Sequence, residues 1–213
     1  MCWNKEVSLN TFIFVVFALC FIYYNNKYTQ YKLKEFNFWM YVIIISIGLM
    51  QLNEYFIWKH IDNNIINYYL TCITILIVLS QAYVNIMSSM SINNNIKSII
   101  TFVTKLLYIY IVNYNNIKTT VAPNGHLQWN FLKREHGLFL FIIFAMCGFV
   151  PMYMDKQYES LVIYLFIVVI SLYMYWKHNT FYSMWCWMAN FILLYYIIKI
   201  LIILPYQEKG KLC

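Results

Sequence analysis

Charge is scarce in this sequence. Only 11% of its 213 residues are Asp, Glu, Lys or Arg, too few to wet the surface of a soluble domain of that length. Proline and glycine are rare too, at three and five residues. No linker rich in either divides the chain, so 1–213 reads as a single domain. The six cysteines (2, 20, 72, 147, 186 and 213) lack C-x-x-C spacing, which argues against a disulfide framework. Cys20, Cys72 and Cys147 fall inside apolar runs, where a thiol acts as a small apolar side chain. No H-E-x-x-H, Ser-His-Asp or aspartyl-dyad spacing occurs, so the reading leans away from an enzyme. No cluster of Lys and Arg interleaves with aromatics, which excludes a nucleic-acid partner. The net charge of +7 is spread over the loops and suits anionic lipid headgroups. No basic leader or small-x-small cleavage site accompanies the first apolar run, so it reads as a span and not a removable signal.

Apolar residues are what the sequence has. They make up 62% of the chain, and aromatics alone 21%. No soluble core of this size absorbs that much, so the fold class is all-α: a polytopic membrane protein whose partner is the lipid bilayer. Seven runs approach the length needed to span: Val7–Tyr24, Phe36–Trp58, Ile65–Met87, Ser98–Tyr114, Gly137–Met154, Tyr158–Trp176 and Tyr182–Leu204. This predicts a seven-transmembrane-helix bundle, or six spans if 98–114 does not cross, since that segment is short and carries Thr101, Thr104 and Lys105. The connections are short and polar except for 115–136, which reads as a loop. Gly148 and Pro151 predict a bend late in the fifth span. Trp39, Trp58, Trp176 and Trp185 sit at span ends, as interfacial anchors do. The balance of Lys and Arg between the two sides leans to an outside N-terminus and a cytoplasmic C-terminus.

The polar residues inside these runs carry the functional reading. Gln51, Glu54 and Trp58 are spaced i, i+3, i+7 and share one helix face. Glu54 lies about 6 Å inside the end of its span. A carboxyl at that depth faces a partner or a wet cavity. Lys105, about 12 Å from the same side, is the expected ion-pair partner. Two readings compete for Gln51 and Glu54: interhelical glue, or a site for a proton, an ion or a polar small molecule. Seven spans also bring further groups to that end of the bundle: Cys2, Glu6, His126, Trp129, Ser183, Trp185 and Cys186. They leave open a membrane enzyme with a Cys/His site at one mouth. No ligand spacing supports a metal site built from Cys2, Cys186 and His126, and no cofactor is implied. A structural or assembly protein without chemistry is the third class. Gln81 and Asn85, at i, i+4 in the third span, are expected to form interhelical hydrogen bonds at the other end. A retinal pigment is disfavoured, because Lys199 lies beyond the middle of the last span and the third span has no carboxylate counter-ion.

The opening "MCWNKEVS" is similar to the Met-Cys-Trp-Ser or Met-Cys-Phe-Ser openings of a group of uncharacterised multi-span membrane proteins of bacteria and large DNA viruses. Those openings often continue with Glu at the place of Glu6 and Ser at the place of Ser8. The Gln51-x-x-Glu54-x-x-x-Trp58 stretch resembles their second-span motif. "SQAYVN", "HLQW" (His126 to Trp129) and "SMWCWMAN" (Ser183 to Asn190) also have look-alikes there. The chain departs from the pattern at Asn4, where Ser is usual, and at Ala82, where Pro is common. The resemblance implies a seven-span fold and no particular activity.

Overall fold

A computed structural model describes residues 4–34, 36–113, 117–131 and 134–209. A bilayer interior offers backbone amides no water, so each apolar run closes its own hydrogen-bond ladder as a helix. The first four helices are α1 (Lys5–Tyr28), α2 (Phe38–Lys59), α3 (Asn64–Ser88) and α4 (Asn94–Val112). Each is started by an asparagine. The side-chain oxygens of Asn4, Asn37, Asn63 and Asn93 accept hydrogen bonds from free backbone amides of the first turn, as N-caps do. Asn4 thus does the capping that a serine would do there.

After α4 the chain forms a two-stranded antiparallel ribbon, β1 (Thr119–Val121) and β2 (Leu127–Trp129), with Thr119 opposite Trp129. The segment read as a loop is therefore a hairpin. Its tip turns at Gly125, whose φ of +76° is open to glycine and strained for other residues. Then follow α5 (Arg134–Met154), α6 (Tyr158–Tyr175) and a 3-10 turn at Trp176–His178. The last span is built from α7 (Phe181–Met188), α8 (Asn190–Ile198), a π-helical stretch (Lys199–Ile203) and α9 (Leu204–Lys209). Its interruptions have local causes. Asn190 Nδ2 donates to the carbonyls of Cys186 (3.3 Å) and Trp187 (2.8 Å), which draws carbonyls away from the ladder at the α7–α8 junction. Pro205 lacks an N–H and crowds the carbonyl four residues back, and the wide π turn falls just before it.

Six helical segments are long and apolar enough to cross a membrane, so the chain is a helical multi-span membrane protein by length and hydropathy. The segment 98–114, left open by its sequence, is one of them, as α4. The apolar part of α5 is shorter, Leu140–Met154. It packs against α3 and α6. It continues through Pro151 to Met154, and the loop beyond it is tied to the far end of α3. There Asp155 Oδ1 accepts from Ser89 Oγ (3.0 Å) and Ser91 N (3.1 Å). At Gly148 a Cβ would lie 2.5 Å from the Tyr164 hydroxyl oxygen; the missing side chain makes room for α6 against α5.

The core has two parts. At the hairpin end, Met50 of α2 packs with Trp129, Phe141, Tyr164, Phe181, Tyr182, Trp185 and Cys186. Trp185 is only 6% exposed and stands edge-on to Tyr164, so it is a core residue and not the interfacial anchor its position suggested. At the other end, Val15, Ala18 and Ile22 of α1 meet Ile44, Leu193, Tyr196 and Ile200. α2 contacts α1, α3 and α7 and is the central helix.

Asp155 supplies a pH test of the far-end tie. Burial opposes its ionisation, but hydrogen bonds from Ser91 and Ser89 outweigh it and hold the pKa below the usual 3.8. A depressed carboxylate contributes stability above its unfolded pKa and loses it as pH falls through the folded value. Asp155→Asn is expected to lower stability by up to about 1 kcal/mol at neutral pH, a bound set by solvent screening of a half-buried group. The difference from wild type should vanish in strong acid, which thermal melts across pH check.

Candidate functional site

The hairpin covers the end of the bundle where the sequence reading gathered its polar groups, and four hydrogen-bonding side chains clamp it there. Asn67, in the second turn of α3, is the hub. Its Nδ2 donates to Thr119 O (2.9 Å) and Ile61 O (3.2 Å), and its Oδ1 accepts from Thr119 N (2.9 Å). One turn on, Thr71 Oγ1 bonds Thr119 Oγ1 at 2.8 Å. On the opposite flank, Ser183 Oγ donates to Leu127 O (2.8 Å), and Asn124 Nδ2 donates to Thr180 Oγ1 (2.9 Å). Over α2, Leu127 and Ile57, both 0% exposed, close the contact. A third residue of the same α3 face, Thr74, accepts from Asn53 Nδ2 at 2.8 Å and joins α2 to α3.

Beneath this cover lies the inward face of α2. Gln51 and Glu54 are both 0% exposed. Glu54 is within electrostatic reach of the Cys186 thiol across the α2–α7 contact. Both ends of the Gln51 amide are buried and make no hydrogen bond with any described residue. The same holds for Trp58 Nε1, Trp129 Nε1 and the Tyr182 hydroxyl. Buried polar atoms of this kind cost about 1–3 kcal/mol each when unsatisfied. Trp129 stacks on Phe131 and Tyr182 at ring separations of 5.9 and 6.1 Å. His126, 7% exposed, stands edge-on to Tyr175. Its burial, with His178 nearby, lowers its pKa from 6.5.

Two small cavities flank Trp185. One of about 80 Å³ lies between Ile75, Trp129, Cys147, Tyr182 and Cys186. The other, about 70 Å³, lies toward Gln81, Ser160 and Tyr196. Both are walled mainly by apolar side chains.

The structure therefore brings together Gln51, Glu54, Trp58, His126, Trp129, Ser183, Trp185 and Cys186 at one end. It does not bring Lys105. That side chain is exposed on the outer face of α4 and makes no ion pair with Glu54; α4 reaches the bundle through α3, which stands between it and α2. Glu6 is exposed in the first turn of α1, where it complements the helix dipole. Cys2 lies outside the described residues. Ser183 is engaged in holding the hairpin, and Cys186 is 2% exposed. Gln81 is buried, yet its Nε2 makes no hydrogen bond with a described residue, contrary to its expected role as glue. Lys199 pairs with Glu159 at 2.8 Å near the far end. Among the described residues, no three His, Cys, Asp or Glu side chains gather as metal ligands.

Asn67, Thr71 and Thr74 were missed by the sequence reading. Their spacing of i, i+4, i+7 on an otherwise apolar helix was the available signal. Compared with protein-family models, with curated proteins and with solved structures, the chain has no match.

Two substitutions separate clamp from site. Asn67→Ala removes the hub and leaves Thr119 N buried without its acceptor. It should lower stability by about 2–4 kcal/mol and increase amide hydrogen exchange at Thr119. Gln51→Leu should instead leave thermal stability equal or raise it by about 1–3 kcal/mol, because it removes a buried amide that bonds no described residue. Melting curves in detergent distinguish the two outcomes.

Proposed function

We propose that this multi-pass membrane protein is proton-responsive, sensor- or transporter-like, with Glu54 as the intramembrane proton site and Gln51 beside it. The observation that carries this is a carboxyl 0% exposed on the central helix, next to an amide that bonds no described residue. Stability alone favours apolar residues at such places, and polar groups kept there at a cost mark functional sites. The two small cavities that flank Trp185, about 80 and 70 Å³ and mostly apolar, are lined by neither Glu54 nor Gln51 and do not set the proton apart from another small cation. The hairpin, clamped by Asn67 and Ser183, limits entry of bulk water. The proposed orientation has the hairpin end outside and the C-terminal end cytoplasmic, from the charge balance of the loops. The resemblance of Gln51, Glu54 and Trp58 to a second-span motif of uncharacterised membrane proteins stays part of this proposal.

The test is proton binding and flux in liposomes carrying the purified chain, with a pH-sensitive dye. Wild type should take up one more proton per chain than Glu54→Gln over the titrated range. It should also dissipate an imposed pH gradient at least tenfold faster. Equal uptake and equal flux in the two proteins would overturn the proposal, as would flux of sodium or potassium without protons.

A further inference from the structure

Lys105 is left without a partner by the fold. Among the described residues it makes no hydrogen bond and no ion pair, and its side chain is exposed on α4. It lines an open groove of about 510 Å³ between the outer faces of α3 and α4, opposite Leu76, Leu79 and Ser80. Leu76 is at the middle of α3, about 18 Å from either helix end, and Leu79 and Ser80 are about 12–14 Å from its C-terminal end. Lys105 itself lies about 10 Å inside the nearer end of α4, a depth that leaves its ammonium within the hydrocarbon. An ammonium held there in hydrocarbon is costly and calls for a carboxylate.

We infer that the α3–α4 groove docks a transmembrane helix of a second protein, one that carries an Asp or Glu within the hydrocarbon to pair with Lys105. The groove has the parts for such a partner. Tyr83 and Tyr108 flank Lys105 along it, and their hydroxyls can donate to the same carboxylate. Ser80, Thr101 and Thr104 donate to carbonyls of their own helices, so they present small, satisfied side chains that permit close helix approach. Leu76 and Ile109 offer apolar contact, at 52% and 56% exposure. The helix is also free to receive a partner: of its residues only Ile111 is buried, and it packs chiefly on α3.

A second copy of this chain does not fit. Glu54 is enclosed. The other carboxylates on described side chains, Glu6, Asp62, Asp155, Glu159 and Glu208, stand in loops or in the first or last turn of a helix. None is at the depth of Lys105. A symmetric contact would moreover set Lys105 against Lys105. An anionic lipid fits poorly because its phosphate belongs at the bilayer edge.

The probe is a fluorescent poly-leucine transmembrane peptide with a single central Glu, mixed in liposomes with the labelled full chain and read by energy transfer. The same peptide with central Leu or central Lys is the control. The Glu peptide should associate at least tenfold more tightly than either control. Lys105→Leu and Lys105→Gln should abolish that preference, and Lys105→Arg should keep it. Lys105 holds no structural contact, so these variants should melt like wild type. Equal binding of all three peptides would overturn the inference, as would a preference that survives Lys105→Leu. Self-association removed by Lys105→Leu would assign the groove to a second copy instead, and loss of a co-purifying anionic lipid alone would assign it to lipid.

Discussion

Everything in this fold answers to one constraint: polar groups in hydrocarbon must find partners inside the protein. For the backbone the answer is helices, six of them long and apolar enough to cross a membrane. For side chains it is inward placement, and α2 takes most of that burden. Ser46, Gln51, Asn53 and Glu54 of α2 are all buried, while its neighbours α1, α3 and α7 supply the walls. The partners are not evenly shared out. Asn53 is bound by α3, whereas the amide of Gln51, two residues away on the same helix, bonds nothing described.

That imbalance separates the two polar systems at the hairpin end. Asn67, Thr71, Thr74 and Asn53 form a closed set in which donors meet acceptors, and its consequence is position: it sets α2 against α3 and holds the hairpin down. Gln51, Trp58, Trp129 and Tyr182 keep buried polar atoms that bond no described residue. A network of the first kind stabilises, and one of the second kind is a cost that stability does not explain. Glu54 lies on the same inward side of α2, 0% exposed beside the Gln51 amide, and that position makes it the functional candidate.

Lys105 shows the same rule at the outer surface. It looked like the natural counter-ion of Glu54 because depth along each helix can be counted from a sequence. Azimuth cannot. The two residues are held apart by α3, and α4 turns Lys105 outward.

The sequence by itself determined the class and the approximate bounds of each helix. These follow from runs of apolar residues and from the length needed to cross a bilayer, both local properties. It also held, unread, the four asparagine caps and the 67–71–74 polar stripe, since each depends only on neighbours within two turns. It determined which polar residues share an end, because alternating passes fix that by parity. Only the tertiary structure decided that the 115–136 segment is a clamped hairpin and that Trp185 is core. It alone placed Glu54 by Cys186 and Lys105 outside the bundle. Those outcomes depend on which helices are neighbours and how each is rotated, and the apolar pattern of a membrane helix leaves rotation undetermined because lipid and protein interior are alike in polarity.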